Sequence, residues 1–135
     1  MNTPSNKPMF VYDSYETGKI YGHDDFKVDT DIVRRWLEMF PEDECGGRMP
    51  AGMITLPQQN AYKNIITPRP PGHIQGGQTF ELHWLPPIGT TLRTEVSCLG
   101  KEIRKERRWV KMKFISRDLA GKLVFTGINT ILVPM

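Results

Sequence analysis

The chain has 135 residues, enough for one domain with a real core, and carries 18 basic against 15 acidic residues, a net charge of +3. So mild an excess does not single out nucleic acid as a partner, and no apolar run is long enough to span a bilayer. The two cysteines, Cys45 and Cys98, fit neither a metal nor a redox spacing, so reduced thiols and a cytoplasmic location are expected, with no metal or cofactor.

Residues 1–14 read as a polar, proline-containing arm without the basic-then-apolar pattern of a leader, ending in a short edge strand at 10–12. The remaining 15–135 read as one domain. A weak strand is expected over 19–28, interrupted by Gly22. Asp29 or Thr30 then suits a helix N-cap. The helix that follows carries Ile32, Val33, Trp36, Leu37 and Phe40 on one side, with Arg34, Arg35 and Glu38 opposite, and stops at Pro41. Residues 41–49 form an acidic, glycine-containing loop holding Glu42, Asp43 and Glu44.

The stretch 50–66 is the candidate central helix. Ala51, Ile54, Gln58, Ala61 and Ile65 recur at steps of three and four and share one face. Pro50 marks its start, and Pro57, lacking an N–H, predicts a kink. The proline-glycine run 67–77 is incompatible with regular helix and reads as a loop. Strands are expected at 78–84, 91–98, 108–117 and 123–133, the last apolar on both faces and so placed centrally. The sequence 118–121, DLAG, suits a tight hairpin turn, and 101–108, KEIRKERR, a charged hairpin. Two helices followed by an antiparallel meander give an α+β domain, with about five strands against one long helix. The open sheet edge favours dimerisation.

Three segments together, RMPAGMITL, PPGHIQGGQTFELHWLPPIGTTL and DLAGKLVFTGINTILV, resemble the hotdog fold, and within it the MaoC-like acyl dehydratases and R-specific enoyl-CoA hydratases. The resemblance implies a sheet wrapped around a central helix, in a homodimer or a higher, possibly mixed, hotdog oligomer. The implied substrate is a coenzyme A or acyl-carrier-protein thioester. The implied reaction adds water to a 2,3-double bond or removes it, which requires an acid–base set and donors at the thioester oxygen.

The family's catalytic loop reads Asp-x-Asn-Pro-x-His. Here the corresponding loop is 42–48, EDECGGR, so Asp43 can fill the aspartate place while Arg48 stands where the histidine would be. Arginine stays protonated near neutral pH and cannot exchange protons as histidine does. The candidate catalytic residues are therefore Asp43 and His73, the latter in a glycine-flanked loop that could rebuild an acid–base pair. Gly52 and Met53, at the helix start, are the candidate oxyanion donors. Arg48 and Gln75 are the further substrate-contacting candidates. His23 and His83 read as surface and half-exposed sheet residues. The departure in the loop keeps two other functions open: a non-catalytic acyl-thioester binder or silent subunit of a mixed dimer, and a hotdog thioesterase.

Overall fold

The computed structural model describes residues 8–134, so most of the expected arm lies outside the described residues. Five strands, β1 (Ile20–Lys27), β2 (Ile74–Leu82), β3 (Thr91–Arg104), β4 (Arg107–Asp118) and β5 (Leu123–Val133), form one antiparallel sheet in the order β1-β3-β4-β5-β2. Two helices, α1 (Thr30–Met39) and α2 (Thr55–Ile65), precede the meander, as the α+β reading expected.

The expected edge strand at 10–12 is replaced by a 3-10 turn at Tyr12–Ser14. Its one aromatic, Tyr12, packs against the apolar cluster that holds the buried Tyr15, and the Phe10 and Tyr21 rings lie against Tyr15 itself. Helix α1 starts where the sequence placed it. The Asp29 carboxylate accepts from the Ile32 N–H at 2.8 Å, taking up one of the free donors of the first turn.

The central helix differs from its expectation. Ala51–Ile54 is a 3-10 turn with Pro50 as its N-cap, and α2 proper begins at Thr55. Pro57 is thus the third residue of α2 and lies within its first turn, where a missing N–H costs nothing and no kink is needed.

Strand β2 starts earlier than expected because its glycines, Gly76 and Gly77, sit at a bulge on an edge strand, where the ladder tolerates them. Strand β3 runs on to Arg104 and turns into β4 through Lys105 and Glu106, both with positive φ (52° and 62°). Such a two-residue turn matches the twist of the strands it joins. Strand β5 is paired on both sides, which explains its two apolar faces, but the middle strand is β4.

The inner face of the sheet carries two apolar clusters. One gathers Val96, Met112, Phe114 and Ile131 under Ala61 and Ile66, and the other Leu92, Val124 and Phe125 under Met53 and Ile54. Helix α2 packs over β1 and β3, and reaches the far edge of the sheet through an amide pair. Gln58 Nε2 donates to Gln78 Oε1 at 2.6 Å, and Gln78 Nε2 returns a longer bond to Gln58 Oε1 at 3.3 Å. Gln58 is only 4% exposed, so this pairing is what makes its burial tolerable. It also requires Gly127. A Cβ on that residue of β5 would collide with Gln58 Oε1 and press on the Phe80 ring at 3.2 Å.

Gly127→Ala is therefore expected to break the amide pair and destabilise the protein by about 1–3 kcal/mol, the range for overpacking a tight interior. Thermal unfolding followed by circular dichroism checks this. An unchanged Tm would show that the helix–sheet spacing does not depend on the absent side chain.

Candidate functional site

The six residues singled out from the sequence do not converge. Asp43 ends a short 3-10 turn, Pro41–Asp43, that follows α1. Its Oδ2 accepts from the Trp36 indole N–H at 2.8 Å and from the Gly52 N–H at 3.0 Å. A carboxylate at the start of a helical segment is favoured by the open N–H groups there. The Gly52 N–H is consequently spent on Asp43, which corrects the expectation that it faces a substrate oxygen. The packing leaves no room for another residue, since a Cβ on Gly52 would lie 2.8 Å from both Asp43 Oδ2 and the Trp36 ring. Met53 is fully buried in the second apolar cluster.

Arg48 is exposed and held at the surface. Its Nη1 donates to the Leu85 carbonyl at 2.8 Å, and its backbone bridges to Pro87. With Met49 N–H bonded to Pro86 O, these contacts fasten the 41–49 loop to the turn before β3.

His73 and Gln75 do come together. Both line a cavity of ≈ 580 Å³ between the C-terminal half of α2 and the start of β2, floored by Asn129 and Ile131 of β5. From the helix, Gln58 and Tyr62 face it, and Lys63 and Arg69 add positive charge to the wall. Asp43, Arg48, Gly52 and Met53 are not among its lining residues, and no hydrogen bond joins Asp43 to His73.

The His73 ring is anchored at one nitrogen. Nδ1 lies 3.0 Å from the Pro70 carbonyl, an acceptor, so Nδ1 carries the proton and donates. That leaves Nε2 as a lone-pair acceptor. It is buried and has no partner among the described residues. Burial pushes the His73 pKa below 6.5; the Arg69 charge adds to that, and the Pro70 bond opposes it. The ring is thus held neutral, with the Nε2 lone pair unmet among the described residues.

Asn129 supplies a second acceptor of the same kind. Only 8% exposed, it keeps its Oδ1 buried without a partner among the described residues, and it stands in register with Gln78 on β2. Sequence reasoning missed both Asn129 and Gln58. Asn129 had a signal: Phe125, Gly127, Asn129 and Ile131 share the inward phase of β5, and an amide in that phase breaks an otherwise apolar face.

No protein-family model matches the sequence, and no curated protein does. Solved structures do match. A MaoC-like dehydratase from Rhodospirillum rubrum superposes with a TM-score of 0.78 at 13% identity, over 93% of this chain and 99% of that one. The fold is a hotdog. The R-hydratase PhaJ1 of Pseudomonas aeruginosa, unliganded, gives 0.70 at 20% identity, covering 92% of this chain and 85% of that one. The fluoroacetyl-CoA thioesterase FlK gives 0.68 at 17% identity over 88% and 87% of the two chains. At these identities the likeness is one of fold. In this hotdog, no helix among the described residues is long and apolar enough to cross a membrane.

If the Asp43–Gly52–Trp36 contact is structural, Gly52→Ala destabilises by roughly 1–3 kcal/mol through displacement of the carboxylate and the indole. Urea unfolding followed by Trp fluorescence reads this loss. A variant as stable as the parent would free the Gly52 N–H for another role.

Proposed function

We propose that this hotdog protein is an acyl-thioester enzyme that uses water, with hydration of a 2-enoyl thioester, or its reverse, as the first reading. The observation that carries it is that two residues lining one cavity, His73 and Asn129, each keep a buried acceptor, Nε2 and Oδ1, without a partner among the described residues, with the Tyr62 hydroxyl a third such group on the same lining. Buried acceptors without donors are costly, and a water that donates one hydrogen to each would satisfy both. Held in that way, the water keeps its lone pairs for attack.

In the forward direction His73 Nε2 takes a proton from the water while its oxygen bonds to C3 of the enoyl group. The C2=C3 electrons move toward the thioester oxygen, and the resulting enolate takes a proton at C2 from the imidazolium. One water is added, His73 is regenerated, and the reaction as written uses no metal or cofactor. Lys63 and Arg69 at the cavity wall suit the anionic carrier of the thioester, whether coenzyme A or a carrier protein. Gln75, on the same wall, is a candidate to orient it.

A second reading is thioester hydrolysis, favoured by one specific feature. None of the lining residues is a carboxylate, so His73 is the cavity's evident base. Hydrolysis needs no more: water attacks the carbonyl carbon, the thiolate leaves, and the imidazolium protonates it. The third possibility is binding without turnover.

The oligomer enters through β2. It is an edge strand, and Ile74 at 56% and Leu82 at 40% exposure leave apolar side chains beside its unpaired backbone groups. Pairing with the β2 edge of a second copy, or of another hotdog chain, would cover both.

The assay follows enoyl absorbance and free-thiol release over a panel of 2-enoyl- and saturated acyl-CoA compounds. Loss of enoyl absorbance without thiol release is expected, falling about 100-fold or more in His73→Gln, in keeping with a lost general base. The acid limb of kcat/KM should lie below pH 6.5, since burial keeps His73 neutral to lower pH. Thiol release instead would select the hydrolytic reading. No turnover of either kind, or an acid limb above pH 6.5, would remove His73 as the base. Sedimentation of the same samples is expected at twice the chain mass, and a monomer would withdraw the edge pairing.

A further inference from the structure

The sheet's outer face carries a pattern that the cavity does not use. On the middle strand β4, the outward positions are Arg107, Trp109, Lys111, Lys113, Ile115 and Arg117, alternating with the buried Val110, Met112, Phe114 and Ser116. Four of the six are cations in one line, and ten residues at about 3.3 Å each make that line about 33 Å long.

The register denies them partners. Lys111 stands opposite Gly100 on β3 and Thr130 on β5, and Lys113 opposite Ser97 and Ile128. Arg117 faces Arg93, whose guanidinium is already paired with Asp25 of β1 at 2.8 Å, and Arg107 faces Arg104. Among the described residues none of the four β4 cations makes an ion pair. On the flanking strands the outward carboxylates are Glu95 and Glu102 of β3. They stand opposite Ile115 and Trp109, diagonal to the cations rather than across from them, and Glu102 already lies 3.8 Å from Arg104. Arg93 and Arg104 have carboxylates beside them, whereas Arg107, Lys111, Lys113 and Arg117 have none in ion-pair reach among the described residues, and a bound anionic surface would supply them.

We propose that this stripe is a docking surface for an acidic helix of a partner protein. The spacing suits one. Lys111 and Lys113 are two residues apart on a strand, about 6.6 Å along its axis, while carboxylates four apart on a helix are about 6 Å apart. A helix of about 22 residues would cover the stripe from Arg107 to Arg117. Ile115 and Ile128, half-buried on the same face, offer it apolar contact, and Glu95 and Glu102 border it on one side. Single-stranded nucleic acid fits less well. Such ligands stack successive bases on several aromatic rings, and the stripe has Trp109 alone, whose ring is already covered by the Arg104 guanidinium at 4.8 Å.

The test uses a 22-residue alanine-based helical peptide with glutamates four residues apart along one face, titrated calorimetrically against the full chain. A peptide of equal charge with the glutamates spread around the helix, and a 22-nucleotide single-stranded DNA, serve as competitors. The striped peptide should bind at least fivefold tighter than either. The variant Lys111→Gln/Lys113→Gln/Arg117→Gln should weaken it about tenfold, the scale expected for a few exposed ion pairs lost together. Lys105→Gln, at the hairpin turn, should change binding less than twofold. The triple variant should melt no lower than the parent, because none of the three cations makes an ion pair among the described residues. Equal binding of the scrambled peptide, tighter binding of the DNA, or a lowered Tm of the triple variant would overturn the proposal.

Discussion

The distance between α2 and the far edge of the sheet depends on one amide pair. Helix α2 rests on β1 and β3, its Ala61 shares an apolar cluster with Ile131 of β5, and the edge strand β2 is reached through Gln58 and Gln78. Two amides can bond reciprocally across such a gap, where apolar side chains would have closed it. Gly127 leaves the space in which Gln58 Oε1 sits. Beside that pair lies the cavity, and three of its lining residues keep a buried polar atom without a partner among the described residues: His73 Nε2, Asn129 Oδ1 and the Tyr62 hydroxyl.

Two ends of the same helical segment have different fates. At its start, the open N–H of Gly52 is satisfied within the chain by Asp43, held in turn by Trp36. That contact fastens the loop after α1 to the central helix through Asp43 Oδ2. Toward its end, beside Tyr62, a histidine is fastened at one nitrogen and left unmet at the other. Polar groups that are paired inside the fold support it, and those left unpaired await a ligand or water. On that criterion the functional candidates move from the start of the helix to the cavity beside its C-terminal half.

Much of the architecture was legible in the sequence, because it rests on local signals. The cap at Asp29, the apolar face of α1, the alternation of β3 and β4 and the turn before β5 each follow from side chains near one another in the chain. The order of these elements then suggested the hotdog, which the structure and its neighbours bear out. What failed depended on contacts between distant segments. Pro57 looked like a kink because the break between the 3-10 turn and α2 is not visible in the helical periodicity. Gly52 looked free because the carboxylate that occupies it sits nine residues back, across a fold in the chain. Arg48 looked like a site residue through its place in a motif, yet it is held by the Leu85 carbonyl 37 residues away. His73 and Gln75 could be proposed from their loop, but Asn129 required knowing which phase of β5 faces inward.

The central claim is that His73 Nε2 and Asn129 Oδ1 jointly hold the reacting water. A crystal structure at a resolution that orders solvent in the cavity tests it most directly. The account predicts one water within hydrogen-bond distance of both atoms, with His73 Nδ1 still bonded to the Pro70 carbonyl. A cavity in which Nε2 is bonded to another protein group, or in which no single water reaches both acceptors, would contradict it.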